Sequence, residues 1–248
     1  DSATRAWQAV VLAIDWRDGD EVITCRSEYA SHMIALLRAQ AARGIVVRVA
    51  PDLPSGEVDA QAVAAMVGPR TRLICITHIP TNDGLVNPAE AVGAVARAHG
   101  VPFLLDACQS VGQMPIDVGA LGCTMLSATG RKYLRGPRGT GFLWVARDWA
   151  ESVTPPTLDV NSAEWTGPAS FAVAPAARRF ELWERSTAGQ VGLGVACAYA
   201  RATGVEAMAE RILALAGRLR TALEGVTGVR VHDQGRRRSG IVTFSAEG

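Results

Sequence analysis

Cysteine is scarce in this chain. Cys25, Cys75, Cys108, Cys123 and Cys197 are the 5 cysteines among 248 residues, and no two form a C-x-x-C pair. An odd, scattered set excludes a disulfide scaffold and points to free thiols in a reducing cytoplasm. Long apolar runs are lacking too. A bilayer-spanning helix needs about 20 such residues, so no membrane segment is expected. Charge of one sign is not in excess: 25 Lys+Arg stand against 24 Asp+Glu, a net +1, which argues against a general nucleic-acid binder. With 48% hydrophobic residues, the composition also excludes a disordered chain. There is no initiator Met, and Asp1-Ser2-Ala3-Thr4-Arg5 lacks the basic start and apolar run of a signal peptide. A segment of a longer polypeptide is expected. Several motifs are missing as well: G-x-S-x-G, a Walker A G-K-[ST], and G-x-G-x-x-G after the first strand. His32, His78, His99 and His232 lack metal-ligand spacing.

What is present is an alternation of short apolar strands and helices. Glu21–Cys25, Ile45–Ala50, Arg72–Thr77, Val101–Asp106, Gly122–Ser127 and Gly141–Ala146 read as strands. Ala30–Ala42, closed by Gly44, and a stretch from Asp59 to Val67 read as helices. Another is expected with Asn87 as N-cap, Pro88 at its first position and Gly100 at its end. Continuous apolar strands alternating with helices predict a three-layer αβα domain around a mainly parallel sheet. Such sheets bind ligands at the carboxyl ends of their strands. From Gly189 two long helices, about Gly189–Ala202 and Val205–Leu223, precede strands near Val229–His232 and Ile241–Phe244. That pattern predicts a division into a large domain, 1–203, lacking its N-terminal part, and the beginning of a small α+β C-terminal domain, 204–248. Arg236-Arg237-Arg238 reads as a solvated hairpin loop, and the Leu and Ala stripe of Ile212–Leu223 as core. Cys197 and the tryptophans Trp144, Trp149, Trp165 and Trp183 are expected to serve packing.

Two segments carry chemistry. In Phe103-Leu104-Leu105-Asp106-Ala107-Cys108-Gln109 an apolar strand ends in a carboxylate. A buried Asp there is costly unless it faces a cation or a donor, or caps the following helix. In Ser127-Ala128-Thr129-Gly130-Arg131-Lys132 a Lys follows the next strand, amid small hydroxyls and glycines. Thr129 and Arg131 suit a phosphate, although a basic glycine-rich loop can also be a plain solvated turn. Together they place a carboxylate and an amine on one sheet edge. That is the arrangement of a pyridoxal phosphate site, where a Lys holds the cofactor as a Schiff base and a charged partner faces the pyridine nitrogen. Gln109 is then within reach of the ring hydroxyl.

The stretch Thr77–Val145, with Ser127–Lys132 followed by Leu134-Arg135-Gly136-Pro137-Arg138-Gly139-Thr140-Gly141, resembles the class V aminotransferase family of fold-type I pyridoxal phosphate enzymes. That family includes cysteine desulfurases, isopenicillin N epimerase-like enzymes and carbon–sulfur lyases. Arg131, where desulfurases usually have His, resembles the epimerase-like branch. The resemblance implies that Lys132 and Asp106 are catalytic and that pyridoxal 5'-phosphate is the cofactor. Lys132 would hold it and shuttle a proton, Asp106 would keep its ring nitrogen protonated, and Gln109 would bond its ring oxygen. Thr129 and Arg131 would lie near the phosphate, with Ser2-Ala3-Thr4 opening a helix beneath it, so that Ala3 and Thr4 offer backbone N–H groups. Ser27-Glu28-Tyr29 matches the segment that supplies a ring-stacking residue, here Tyr29 where many relatives have His. Thr81 falls where many have Asn near the ring oxygen. Arg179-Phe180-Glu181 and Ser186-Thr187 match a stretch near the neighbouring subunit's phosphate, which implies a homodimer.

The expected activity is that of a pyridoxal phosphate-dependent lyase on a small amino-acid substrate, cleaving a carbon–sulfur bond by β-elimination from a cysteine S-conjugate. The alternatives are an epimerase or racemase, an aminotransferase, a cysteine desulfurase with its nucleophilic Cys beyond Gly248, and a non-catalytic relative kept as a binding partner. Retention of both Asp106 and Lys132 speaks against the last.

Overall fold

The computed structural model describes residues 1–247. Helix α1 (Ala3–Ala13) starts at Ser2, whose hydroxyl accepts the Arg5 N–H, and it buries Trp7, Val10 and Val11 on one face. Then follow β1 (Glu21–Cys25), α2 (Ala30–Arg43), β2 (Val46–Ala50), α3 (Ala60–Met66), β3 (Thr71–Thr77), α4 (Ala89–His99), β4 (Phe103–Asp106), β5 (Met125–Thr129) and β6 (Gly141–Val145). These six strands form one sheet in the order β2-β1-β3-β4-β5-β6. All pairings are parallel except β5 with β6. Both faces are covered, which explains the continuous apolar runs. On β3, Ile74 and Ile76 pack toward Val63 of α3 and Val92 of α4. Their neighbours Leu73 and Cys75 pack toward Trp7 and Val10 of α1 and Leu36 of α2. This is the three-layer αβα arrangement the alternation predicts.

The remainder comprises α5 (Arg147–Glu151), the hairpin β7 (Ala163–Gly167) and β8 (Ser170–Val173), a 3-10 turn at Ala176–Phe180, α6 (Thr187–Thr203), α7 (Val205–Glu224), and the antiparallel pair β9 (Val229–Val231) and β10 (Phe244–Ala246). Several expectations need correction. Asn87 is not the cap of α4; Pro88 is. The Asn87 amide instead accepts from Val58 N–H and donates to the carbonyl of Thr77 and the hydroxyl of Ser27, tying three loops together. The arginine run is exposed between antiparallel β9 and β10, as a solvated hairpin loop should be, but it is also tied to the large sheet's loops. Arg236 pairs with the buried Glu57 at 3.0 Å, and the Arg237 carbonyl accepts from Val86 N–H. On α7 only Ala209, Ala216 and Arg220 are buried, and Leu213, Leu215 and Leu219 are exposed. Trp165 and Trp183 are 79% and 65% exposed, so they do not pack within this chain. Among the described residues no helix is long and apolar enough to cross a membrane.

Candidate active site

The five mutually parallel strands end on one edge, and a cavity of about 440 Å³ opens there. All nine predicted residues line it: Ala3, Thr4, Tyr29, Thr81, Asp106, Gln109, Thr129, Arg131 and Lys132. Asp106 is the last residue of β4 and is 3% exposed. Its Oδ1 accepts the Cys108 N–H at 2.8 Å, and its Oδ2 lies 3.7 Å from Nδ1 of His32. Burial pushes its carboxyl above the ordinary range, the charge of His32 draws it back, and Glu28 adds to the rise. Asp106 opens no regular helix, so the helix-cap alternative falls away.

Lys132 stands three residues beyond β5, in a loop shaped by close backbone approach. The Gly136 N–H donates to the Gly130 carbonyl at 2.7 Å, and a side chain at Gly130 would strike the Thr140 hydroxyl at 2.3 Å. The loop is therefore a built turn rather than a plain solvated one. At its far end Thr129 and Thr140 are buried beside the first turn of α1. Gly141 permits this: a Cβ there would lie 2.8 Å from the Ala3 nitrogen and 2.8 Å from the Ala128 carbonyl oxygen. The first turn of a helix leaves N–H groups without intrahelical partners, so this end of the cavity suits an anion. Arg131 lies exposed at the same end.

The wall opposite Lys132 comes from the β1–α2 connection. Tyr29 precedes α2 and keeps 41% exposure, its ring meeting His32 edge-on with centroids 5.3 Å apart. Gln109 lines the cavity while its carbonyl accepts from the Gln113 amide. Within the stretch that the resemblance places near a neighbouring subunit, the Arg179 guanidinium is buried and donates to the carbonyls of Ala174, Ala150 and Val153. Ser186 likewise caps α6 through the Gly189 N–H. Cys108 borders the cavity, but burial and the neighbouring Asp106 push its thiol well above the usual thiol range.

Sequence reading missed His32, which the structure brings beside Asp106 and Glu28. Its position on the inward face of a helix that opens at the cavity was the available signal. Thr77, whose hydroxyl donates to Glu28 at 2.6 Å, was read only as the end of a strand.

Known proteins resemble this chain in sequence and fold. A "probable cysteine desulfurase" of Xylella fastidiosa (strain 9a5c) is 30% identical over 247 residues, covering 96% of this chain and 58% of its own length. The chain thus spans little more than half of that relative. Among solved structures, the apo cysteine desulfurase of Thermococcus onnurineus NA1 superposes with TM-score 0.88 at 22% identity, over 100% of this chain and 62% of that one. The cystine C-S lyase C-DES, in complex with its reaction product cysteine persulfide, gives TM-score 0.91 at 26% identity, over 100% of this chain and 67% of that one. The family model described as Aminotransferase class-V matches residues 1–248, so the chain belongs to the class V aminotransferase family.

Proposed function

We propose that this chain is the greater part of a pyridoxal phosphate-dependent enzyme that cleaves a carbon–sulfur bond in a cysteine S-conjugate. The observation that carries the reading is the shared cavity of Lys132 and Asp106 at the carboxyl ends of β4 and β5. The residues fit the cofactor. An amine and a buried carboxylate face one space, and an anion-suited helix end, cleared by Gly141, lies beside them. The solved relative described as having glycine covalently linked to its pyridoxal phosphate, 25% identical with TM-score 0.91, supports the same assignment.

Bound there, pyridoxal phosphate supplies an electron sink for bonds breaking at an amino acid's Cα. Asp106 would be the partner of the ring nitrogen and keep a proton on it, Gln109 and Thr81 would serve the ring oxygen, and Tyr29 would offer its ring to the cofactor's. Thr129, Arg131 and the N–H groups of Ala3 and Thr4 would hold the phosphate. The Lys132 amine would hold the cofactor and, once freed by a substrate amine, would be the base for the Cα proton. Loss of that proton would let the Cβ–S bond break with its electron pair leaving on sulfur, and hydrolysis of the remaining three-carbon fragment would give pyruvate and ammonia.

The assignment extends to organisation: a large domain over 1–203, the start of a small domain over 204–248, and a homodimer. The exposed Trp165, Phe171 and Trp183 support the dimer, because isolated chains rarely leave such rings in water.

The test is direct. Borohydride reduction of the yellow full-length protein followed by peptide mapping is expected to put the pyridoxyl group on Lys132. Incubation with cysteine S-conjugates in deuterated water is expected to release pyruvate and thiol together. Deuterium at Cα without pyruvate would establish an epimerase instead, and turnover that needs a keto acid a transaminase.

A further inference from the structure

Glu28 and His32, which the proposed chemistry does not use, form a buried cluster with Asp106: their ligand atoms lie within 4.8 Å of one another. The side chains of Glu28 and His32 are 0% and 1% exposed. Glu28 Oε1 accepts from the Thr77 hydroxyl at 2.6 Å and the Tyr29 N–H at 3.0 Å, and it lies 2.9 Å from His32 Nδ1; Oε2 accepts from the Thr24 hydroxyl at 3.0 Å. Three other donors already orient this carboxyl group as an acceptor, so the geometry assigns the proton of the fourth contact to Nδ1. The same Nδ1 stands 3.7 Å from Asp106 Oδ2. The imidazole lies flat on Trp7, with centroids 4.2 Å apart and 4° between planes, and its Nε2 is buried with no partner. The stack fixes the ring's orientation between the two carboxyl groups.

Two buried carboxylates this close repel unless a cation stands between them. One positive ring nitrogen in the cavity balances one of them and leaves the other. Resting on the pyridoxal phosphate reading, we propose that His32, fixed by Glu28 and Trp7, is a positioning residue that keeps Asp106 anionic and aimed at the ring nitrogen. Without His32, Asp106 takes up the proton itself and the ring nitrogen loses it. The charged groups facing the imidazole are Glu28, from the turn before α2, and Asp106, from β4; Trp7 of α1 contributes only its ring face and Tyr29 only its ring edge.

Two measurements test this. In wild-type protein labelled with nitrogen-15 at histidine, the Nδ1 of His32 is expected to carry a proton; an unprotonated Nδ1 overturns the proposal, whatever the cofactor does. In holoenzyme reconstituted with ring-nitrogen-15 pyridoxal phosphate, the ring nitrogen is expected to be protonated at neutral pH in wild type. It should be largely unprotonated in His32→Leu, with kcat down about ten-fold or more and KM little changed. In His32→Asn, whose amide N–H replaces Nδ1–H, the protonated signal should partly return. A Lys132 adduct together with a wild-type ring signal in His32→Leu overturns this inference alone. No reducible cofactor on wild-type Lys132 overturns the cofactor reading, and the histidine tautomer still decides the Glu28–His32 contact.

Discussion

His78 sits directly after β3 with 3% exposure and no partner for Nδ1. Burial, helped by the charge of Arg237, lowers its pKa from 6.5 to about 4. The folded state therefore keeps a neutral imidazole where the unfolded chain, below pH 6.5, takes up a proton. As pH falls from 6.5 toward 4 the unfolded chain gains that proton first and stability drops, by about 3 kcal/mol from this one residue. Urea titrations of wild type and His78→Gln, at neutral pH and again near the lower limit, measure it. The variant should lose distinctly less stability on acidification, and parallel loss in both proteins would show that other groups set the acid limit. The contrast with Asp106 is physical. Both are buried, but Asp106 has His32 within reach, whereas the charge acting on His78 is that of Arg237, which opposes its protonation.

At the scale of elements, the strands and their order of use were legible because parallel strands buried on both faces write long apolar runs. Phe103–Asp106, with every residue buried, is an example, whereas the strand read as Gly122–Ser127 begins three residues later, at Met125, and runs through the polar Ser127 to Thr129. The hairpin β7–β8 was not legible, since Glu164, Trp165 and Thr166 are all exposed and leave no alternation to read. Asn87-Pro88 carries the local signature of a helix start, but tertiary demand for donors and an acceptor at Val58, Thr77 and Ser27 took the side chain elsewhere. The candidate site was legible where chemistry is local, in Asp106 and Lys132, and not where a helix face carries it inward, as with His32. Helix α1 depends on such an unmarked contact. At Gly141→Val a branched side chain would meet backbone atoms of Ala3, Ser2 and Ala128 at 2.8–2.9 Å, none of which can rotate away. The first turn of α1 must then lift off the end of β6, costing about 1–3 kcal/mol of overpacking. Equilibrium dialysis should show pyridoxal phosphate affinity down about ten-fold or more, with a lowered Tm. A valine variant that retains cofactor as wild type does would mean that the phosphate is held without α1.

At the scale of the whole molecule, the segment after α7 folds back onto the loop that edges the cavity. Asp83 and Thr81 of that loop line the cavity. The Asp83 N–H donates to the Thr243 hydroxyl at 2.9 Å, and the Asp83 carbonyl accepts from Gln234 N–H at 2.7 Å. One ion pair organises the returning segment: Arg220 of α7 meets Asp233 at 2.6 Å, with side chains 8% and 0% exposed, and donates to the carbonyls of Ser239 and Ile241. Asp233 also accepts the Thr243 N–H at 2.7 Å. Removing one member of a buried pair leaves the other uncompensated, at a cost of about 3–5 kcal/mol. In Arg220→Met that cost falls on residues 233–243, whose anchoring to Asp83 loosens, while the sheet edge bearing Asp106 and Lys132 is untouched. Hydrogen exchange should quicken in residues 81–85 and 233–243 but not in β4 or β5. KM should rise more than kcat falls, because the Lys132 and Asp106 ends of the cavity stay in place while the wall that meets the substrate moves. If kcat collapsed with unchanged exchange at 81–85, the returning segment would be acting on the chemistry by another route than this loop.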